Sequence, residues 1–321
     1  MPDTSHAWVI LLAAGEGSRV SGVFRDTDGV AIPKQYWTLF GKQTMLGRTI
    51  ERAARLVPPS RMVPVVAARH ARWWRGGLSD IPCWNFVIQP ENRGTAIGIL
   101  VPLLRILRRD RDASVIIMPT DHDFRNEQVL GRSLARALEA VRLAPEHPVL
   151  LGMTPWASDP ELGYITPGPG AEVIRTIRNF TEKPRPGLAQ RLREDGALWN
   201  SFIIVANGAR LRRAFQATLH GVVDRFEETS ALLFGSSRIL SRLYARLPIR
   251  DFSRDVLQPV AANCRVLTVP ECGWTDLGTR ARLGAWQHEH DEGSRRLDAT
   301  VTPQFLTAGQ PTEAASSPCS R

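Results

Sequence analysis

The first half of the chain alternates short apolar runs with longer stretches in which apolar residues recur every three or four positions. The apolar runs are rich in β-branched residues and predict four strands: Trp8–Ala13, Met62–Ala67, Asn85–Ile88 and Ser114–Met118. The periodic stretches predict four amphipathic helices: Thr44–Leu56, His70–Gly76, Gly94–Arg109 and Glu127–Arg142. This alternation is typical of an α/β fold with a mainly parallel, mixed sheet and helices on both faces.

The second half has a less regular pattern. It predicts five more strands: Val149–Met153, Tyr164–Thr166, Val173–Phe180, Phe202–Val205 and Arg265–Val269. Helices are expected from about Leu211 to Tyr244. No internal repeat and no linker rich in Pro, Gly or Ser divides the chain, so we expect one domain over residues 1–287. Residues 288–321 turn small and polar and are expected to form a disordered tail.

Three loops follow predicted parallel strands, and they begin at Ala14, Gln89 and Pro119. Ligands of such sheets bind beyond the carboxyl ends of the strands. These loops are therefore expected to converge on one crevice.

The first of these loops carries two glycines, Gly15 and Gly17, followed by Arg19, and Lys34 comes shortly afterwards in Ile32-Pro33-Lys34-Gln35. Glycines let the backbone approach a triphosphate and offer N–H donors, while Arg19 and Lys34 can neutralise its oxygens. A Rossmann dinucleotide site is disfavoured because the third glycine of G-x-G-x-x-G is missing. The alternative is a tight turn with two surface cations.

Two aspartates are candidate metal ligands. Asp121 follows an apolar run, and Asp276 lies on a turn between Trp274 and Gly278. Two carboxylates, together with phosphate oxygens and water, suit an octahedral Mg²⁺. The alternative is a helix cap at Asp121 and a turn-former at Asp276.

The segment Asp121-His122-Asp123 is also a D-x-D sequence, the metal motif of many glycosyltransferases. A glycosyltransferase is therefore an alternative, although it is not expected to carry the glycine loop with Pro-Lys-Gln. His122 could act as a general base, but a phosphate oxygen is already ionised at neutral pH and needs no base. We therefore favour a structural or hydrogen-bonding role for His122.

Six short motifs can be picked out along the chain. They are Leu12-Ala13-Ala14-Gly15-Glu16-Gly17-Ser18-Arg19 with Pro33-Lys34-Gln35, Gln89-Pro90-Glu91-Asn92-Arg93-Gly94-Thr95-Ala96, Pro119-Thr120-Asp121-His122, Phe180-Thr181-Glu182-Lys183-Pro184, Trp199-Asn200-Ser201 and Trp274-Thr275-Asp276-Leu277-Gly278. Their order is that of the sugar-phosphate nucleotidyltransferase family, and the chain most resembles its mannose-1-phosphate guanylyltransferases. The resemblance covers about residues 8 to 280.

This resemblance implies a Rossmann-like fold of the nucleotide-diphospho-sugar transferase type. It implies transfer of a nucleotidyl group from a nucleoside triphosphate, GTP by preference, to a sugar 1-phosphate, expected to be mannose 1-phosphate. About residues 1–125 would bind the nucleotide and residues 126–287 the sugar phosphate. The alternatives are a thymidylyl- or uridylyltransferase and a catalytically idle nucleotide-binding regulator.

The resemblance also implies roles for individual residues. The catalytic residues would be Arg19, Lys34, Asp121 and Lys183, and the Mg²⁺ ligands Asp121 and Asp276. The nucleotide would contact Leu12, Ala13, Ala14, Gly15, Gly17, Ser18, Arg19, Lys34, Gln89, Asn92, Gly94, Thr95 and Ala96. The sugar phosphate would contact Asp121, Gly163, Tyr164, Glu182, Lys183 and Asn200.

The chain also departs from the family pattern. Ala14 stands where guanylyltransferases usually have Gly, and Val20-Ser21-Gly22 replaces the expected Leu-x-Pro. The segment from Arg19 to Lys34 is longer than expected. Asp255 aligns with an acidic residue of the guanylyltransferase pattern, but it could equally cap a helix.

Composition narrows the function classes further. The 321 residues are 43% hydrophobic and carry a net charge of +9. The arginines are spread along helices rather than interleaved with aromatics, so anionic small-molecule substrates are expected rather than nucleic acid. The first apolar run is too short for a signal peptide and no run reaches the length of a membrane span, so a cytoplasmic protein is expected. Whether copies of the chain form a homo-oligomer stays open.

Overall fold

The computed structural model describes residues 3–39, 43–76, 78–228 and 237–297. Its strands are β1 Ala7–Ala13, β2 Met62–Ala67, β3 Val87–Gln89, β4 Ser114–Pro119, β5 Val149–Met153, β6 Tyr164–Pro167, β7 Ile174–Thr181, β8 Leu198–Asn207 and β9 Arg265–Val269. Its helices are α1 Met45–Ala54, α2 Ala71–Trp74, α3 Thr95–Arg109, α4 Glu127–Leu143, α5 Pro186–Glu194, α6 Gly208–Glu228, α7 Ser237–Ala245, α8 Gln258–Val260 and α9 Arg280–Leu297.

Within these residues the strands form one mixed sheet in the order β3-β2-β1-β4-β8-β5-β9-β7-β6. The first four strands run parallel, as the alternating pattern predicts. The second half contributes mostly antiparallel pairs, with β8 inserted between β4 and β5. The fold is therefore α/β, and β8 joins the two halves into one continuous sheet.

Strand β1 shows how the sheet is covered on both faces. Val9 and Leu11 belong to one apolar cluster, packed beside α1 and α4, while Trp8 and Ile10 belong to another, beside α3 and α6. Successive side chains of a strand point to opposite faces, so a strand buried on both sides is apolar throughout. The uninterrupted apolar run of β1 is the direct consequence.

Several predicted boundaries shift for identifiable reasons. The third strand was predicted to start at Asn85, but Asn85 lies in a 3-10 turn and its amide donates to two main-chain oxygens. Strand β8 begins at Leu198 rather than at the predicted Phe202, because the polar Asn200 and Ser201 interrupt the apolar pattern from which the strand was predicted. Helix α5 was not predicted, since only Ala189 and Leu192 of its nine residues are buried.

The carboxyl-terminal part also differs from expectation. Helix α9 continues to Leu297, so the predicted boundary at residue 287 falls inside a helix. The rest of the predicted tail, residues 298–321, lies outside the described residues. Residues 229–236 of the predicted helical interval lie outside them as well.

Phe215 offers a test of the packing between α6 and the rest of the second apolar cluster. Its side chain is fully buried, with its ring centroid 5.6 Å from that of Phe252. Phe215→Ala should lower the free energy of unfolding by about 3–5 kcal/mol, since it removes a buried ring and leaves a cavity. Chemical denaturation measures the loss. Arg213→Ala, on the exposed side of the same helix, should cost less than about 0.5 kcal/mol, and equal losses would contradict the assignment of α6 faces.

Candidate active site

Two adjoining cavities open at the carboxyl ends of the parallel strands. The first, here the β3 cavity, has a volume of about 230 Å³ and lies beyond β1 and β3. The second, the β4 cavity, has a volume of about 300 Å³ and lies between the two halves of the sheet. Ala14 and Gln89 line the first and Pro119 the second, so the predicted convergence of the three loops on one crevice is confirmed.

The glycine loop after β1 is fixed by the Pro-Lys-Gln segment. The Gln35 amide donates to the main-chain oxygens of Ala13 and Gly15, at 2.9 and 3.1 Å. Gly17 has a positive φ of 59°, and a Cβ there would lie 3.2 Å from Cβ of Lys34. The two segments therefore pack closely against each other, and these contacts hold the loop in place.

Lys34 lies below the floor of the β4 cavity. Its side chain is 4% exposed, and its ammonium is 2.9 Å from Oδ2 of Asp121. It also donates to the main-chain oxygen of Asp276. The ammonium thus contacts both predicted metal ligands, Asp121 at its carboxylate and Asp276 at its main-chain carbonyl.

A main-chain bridge brings the two predicted metal ligands together. Asp123 N donates to the oxygen of Thr275 at 2.9 Å, and Thr275 N donates to the oxygen of Asp123 at 3.1 Å. Nearby, Gly273 has a positive φ of 64°, and a Cβ there would collide with the side chain of Arg125. The bridge fixes the loop after β4 against the turn that carries Asp276.

The two aspartates have different surroundings. The side chain of Asp121 is 34% exposed in the β4 cavity, and although desolvation opposes its ionisation, Lys34 and His122 hold its pKa below the usual value. Asp276 is 10% exposed, and its Oδ1 lies 2.7 Å from Nε of Arg282 on α9. Arg282 is itself buried and also donates to Asp159. Asp121 therefore faces the cavity with its carboxylate, while Asp276 shares its carboxylate with an arginine.

This donor set suits a hard cation that completes its shell with phosphate oxygens and water. Both carboxylates line the β4 cavity, one from each half of the sheet. Among the described residues, no group of three or more His, Cys, Asp or Glu side chains could hold a metal ion. Any Mg²⁺ bound here would thus take most of its ligands from substrate and solvent.

His122 and Asp123 have structural surroundings. His122 accepts a hydrogen bond at Nδ1 from Trp274, and burial lowers its pKa to about 4, so it is neutral at neutral pH. Asp123 is 2% exposed and paired with Arg48 and Trp286. Asp123 therefore does not reach the cavity, which disfavours the D-x-D glycosyltransferase alternative.

The far wall of the β4 cavity carries Glu182, Lys183 and Asn200. Burial raises the pKa of Glu182 to about 7, with the charge of Asp251 adding to this effect and Lys183 opposing it. A Cβ on Gly163 would lie 2.7 Å from Oε2 of Glu182, so a larger residue there would displace the carboxylate. This wall combines a carboxyl group that is half ionised near pH 7 with a cation and an amide.

Arg19 reaches across the mouth of the same cavity. Its Nη1 donates to Oε2 of Glu161 at 2.9 Å, and both side chains are about half exposed. Exposed pairs of this kind are weak and are screened by salt. Arg19 can therefore exchange Glu161 for an anionic ligand.

Most of the predicted site residues meet in the two cavities. Those that line the β3 cavity, the β4 cavity or both are Leu12, Ala14, Gly15, Arg19, Gln89, Asn92, Gly94, Thr95, Asp121, Gly163, Glu182, Lys183, Asn200 and Asp276. Of the other predicted residues that are described, five do not line either cavity: Ala13, Gly17, Lys34, Tyr164 and Ala96. Tyr164 is fully buried and its hydroxyl accepts from the main chain of Asp159. The side chain of Ser18 lies outside the described part of the chain.

Sequence reasoning missed the segment from Ile249 to Arg254, which lines the β3 cavity. The only indication of this segment in the sequence was the candidate residue Asp255. In the structure its Oδ2 accepts a hydrogen bond from the main-chain N of Asp251. Asp255 therefore supports the turn, and Asp251 is the acidic side chain that reaches both cavities. Its position could not be inferred from spacing alone.

The family model for nucleotidyl transferases matches residues 8–290. The chain belongs to the nucleotidyl transferase family. The match begins in β1 and ends in α9, so it includes every described strand of the sheet and both cavities. In the described part of this nucleotidyl transferase, no helix is long and apolar enough to cross a bilayer.

Relatives and solved structures agree with this membership. The chain is 26% identical over 283 residues to the xanthan biosynthesis protein XanB of Xanthomonas campestris, covering 85% of this chain and 58% of the relative. It is 28% identical over 300 residues to a mannose-1-phosphate guanylyltransferase of Klebsiella pneumoniae, covering 89% and 61%. The chain thus spans about three fifths of the length of these curated relatives.

Among solved structures, a protein described as mannose-1-phosphate geranyltransferase from Thermus thermophilus superposes with a TM-score of 0.74 at 28% identity. That superposition covers 85% of this chain and 76% of the other. A UDP-glucose pyrophosphorylase in complex with UDP-glucose superposes with a TM-score of 0.55 at 12% identity, covering 89% and 99%. The second likeness shows the shared fold alone.

The raised pKa of Glu182 predicts a pH-dependent stability. An unfolded chain ionises this carboxyl near its ordinary value of 4.5, whereas the folded protein keeps it protonated up to about pH 7. The unfolded state therefore releases the proton first, and the contribution of Glu182 to stability falls as pH rises through this window. Relative to Glu182→Gln, the wild type should lose roughly 2–4 °C in Tm between pH 5 and pH 8.

Thermal denaturation of both proteins across this pH range measures the effect. Glu172→Gln is the control, since Glu172 is exposed in the turn between β6 and β7 and should follow the wild type at every pH. A constant Tm difference between wild type and Glu182→Gln would contradict the raised pKa.

Proposed function

We propose that this chain transfers a nucleotidyl group from a nucleoside triphosphate, preferably GTP, to a sugar 1-phosphate, preferably mannose 1-phosphate. An oxygen of the sugar phosphate attacks the α-phosphorus, the bond from the α-phosphorus to the bridging oxygen of the β-phosphate breaks, and pyrophosphate leaves. The products are a nucleotide-sugar and pyrophosphate. No covalent enzyme intermediate is required.

The observation that carries this proposal is the continuity of the two cavities. They share Leu12, Gly15, Thr95 and Asp251, and the glycine loop lies along both. A nucleotide with its base in the β3 cavity would extend its phosphates past Gly15 toward Arg19 and Asp121. A sugar phosphate bound at the wall that carries Lys183 would then face the α-phosphorus from the opposite side, as in-line attack needs.

Gln89 is the proposed contact for the base. Its side chain is 4% exposed, and its amide nitrogen donates to the hydroxyl of Tyr244 at 3.3 Å. The bond to Tyr244 orients the amide oxygen, which can accept from an N–H of guanine. One such hydrogen bond contributes about 1 kcal/mol net, so the preference for GTP is expected to be modest.

Charge neutralisation would supply most of the rate enhancement. Arg19 would exchange Glu161 for phosphate oxygens, and Lys183 would meet the phosphate of the sugar. Lys34 acts from below the cavity floor, where its ammonium holds Asp121 and offsets part of the negative charge that arrives with two anionic substrates.

Asp121 and Asp276 are the proposed ligands of Mg²⁺, which would neutralise the phosphate oxygens and the departing pyrophosphate. Arg282 lies beside this site as a buried cation, with its Nε 2.7 Å from Oδ1 of Asp276. Its charge would offset part of the negative charge of that carboxylate, while Gly278 N donates a hydrogen bond to the same oxygen.

Relatives support the substrate choice. The Klebsiella pneumoniae relative is named a mannose-1-phosphate guanylyltransferase, and several further relatives are named alginate or xanthan biosynthesis proteins. We extend this to the present chain because its cavities carry the motif residues on which the resemblance depends. The same reasoning puts GTP and mannose 1-phosphate among its partners.

A pyrophosphate-release assay tests the reaction and its substrates. Four nucleoside triphosphates should be crossed with the 1-phosphates of mannose, glucose, galactose and N-acetylglucosamine in the presence of Mg²⁺. We expect the highest kcat/KM for GTP with mannose 1-phosphate, by roughly fivefold or more over the next pair. Turnover only with a pyrimidine triphosphate would refute the guanylyl preference, and no turnover with any pair would favour the idle nucleotide-binding regulator.

Two neighbouring aspartates provide a matched test of the metal site. Asp121→Asn should reduce turnover by about 10²-fold or more and raise the Mg²⁺ concentration needed for half-maximal rate, and it should also lower Tm because the buried Lys34 loses its charged partner. Asp276→Asn should behave in the same direction. Asp123→Asn should lower Tm as well but keep the Mg²⁺ dependence of the wild type, because Asp123 pairs with Arg48 away from the cavity. Unchanged turnover in Asp121→Asn would remove Asp121 from the metal site.

A further inference from the structure

The boundary between the two cavities is formed by the four residues that line both of them: Leu12, Gly15, Thr95 and Asp251. In a nucleotide the ribose is bonded to the base on one side and to the α-phosphate on the other. If the base lies in the β3 cavity and the phosphates in the β4 cavity, as the proposed function requires, the ribose must lie at this boundary.

Of these four boundary residues, Asp251 has the side chain best suited to bind vicinal hydroxyls. Leu12 and Gly15 have no polar side chain, and their main-chain oxygens already accept from Thr120 and Gln35. Thr95 accepts from Phe252 N at 2.8 Å and lies 3.2 Å from Oδ2 of Asp251, so its hydroxyl hydrogen is directed to that carboxylate.

Asp251 retains capacity to accept further hydrogen bonds. Its Oδ1 accepts from Arg254 N at 3.0 Å and its Oδ2 from Thr95, which leaves one lone pair on each oxygen. A carboxylate repels phosphate but accepts strongly from hydroxyl groups. Its chemistry therefore matches a ribose 2′- or 3′-hydroxyl better than any other part of the nucleotide.

The Asp251 backbone is held in place by hydrogen bonds within the protein. Its N–H donates to Oδ2 of Asp255 at 2.8 Å, and the preceding residue, Arg250, bonds to Arg93 and Ala96 through its main chain. Gly94 permits this approach, because its φ is +85° and a Cβ there would collide with the main-chain oxygen of Arg250. The glycine in the segment from Gln89 to Ala96 thus positions an acidic residue that is remote in the chain.

We propose that Asp251 binds the ribose hydroxyls and makes the enzyme select ribonucleoside over deoxyribonucleoside triphosphates. This inference rests on the proposed function. It adds a determinant of specificity for the nucleoside sugar, which is distinct from the contacts proposed for the base and for the sugar 1-phosphate.

The test compares GTP with 2′-deoxy-GTP and 3′-deoxy-GTP as substrates in pyrophosphate release. The wild type should prefer GTP over at least one analogue by about 10- to 100-fold in kcat/KM, the range expected for a hydrogen bond to a charged acceptor. In Asp251→Ala this ratio should fall to within about threefold, because the reaction with GTP is weakened while that with the deoxy analogue is not. Asp251→Asn, which keeps the shape and one acceptor oxygen, should give an intermediate ratio.

The control is Asp195→Asn, an exposed charge change that lines neither cavity and should keep the wild-type ratio. A ratio near one in the wild type would overturn the inference while leaving the proposed function intact. So would a ratio above about tenfold that persists in Asp251→Ala with its Tm unchanged. If the wild type turns over no ribonucleoside triphosphate, the proposed function fails and the ribose inference fails with it.

Discussion

The main-chain bridge between Asp123 and Thr275 is the constraint on which the rest of the site depends. The segment that follows β4 and the segment that follows β9 come from opposite halves of the sheet, and this bridge joins them in antiparallel register. Asp121 precedes the bridge on one segment and Asp276 follows it on the other, so in antiparallel register both lie on the same side of the bridge and backbone geometry keeps them close together. The Lys34 ammonium then links one carboxylate to the carbonyl of the other residue. Placement by the backbone keeps the side chains of a site in a fixed relative position.

Charged groups of the cleft form three ion pairs that differ in burial. Asp121 is paired with Lys34, Asp276 with Arg282, and Arg19 with Glu161. Charges that are removed from water are costly unless they are paired, so the ligand-free protein is stable only with the buried partners in place. The exposed Arg19 pair is the weakest of the three and the one that a phosphate can replace most easily. The two buried pairs therefore belong to the fixed framework of the cleft, and the exposed Arg19 pair is the one that an anionic ligand can displace.

The parallel half of the fold can be predicted well from the sequence because strands buried on both faces are continuous apolar runs, as Trp8–Ala13 is. Less of β8 can be predicted, since the polar Asn200 and Ser201 lie inside this strand, and α5 buries too few residues to give a clear pattern. In the site, the glycines and charged residues that belong to a single motif could be assigned to loops from the sequence alone. Asp251 could not, because its position depends on a contact between Gly94 and Arg250 that is remote in sequence. The buried position of Lys34 likewise follows from tertiary packing.

The trio of Asp159, Arg282 and Asp276, in which Arg282 and Asp276 are buried and Asp159 is partly exposed, constrains how this protein can diverge. Loss of Arg282 alone would leave two acidic groups facing each other in a poorly hydrated space, and loss of Asp159 alone would leave the arginine underneutralised. Because neither single substitution is easily tolerated, change at these positions requires compensatory substitutions or the replacement of both Asp159 and Arg282 by apolar residues. Helix α9 is therefore constrained by its ion pair with a residue of the cleft. Substitution of Arg282 in the first turn of this helix is limited because its partner, the Asp276 carboxylate, lines the cleft.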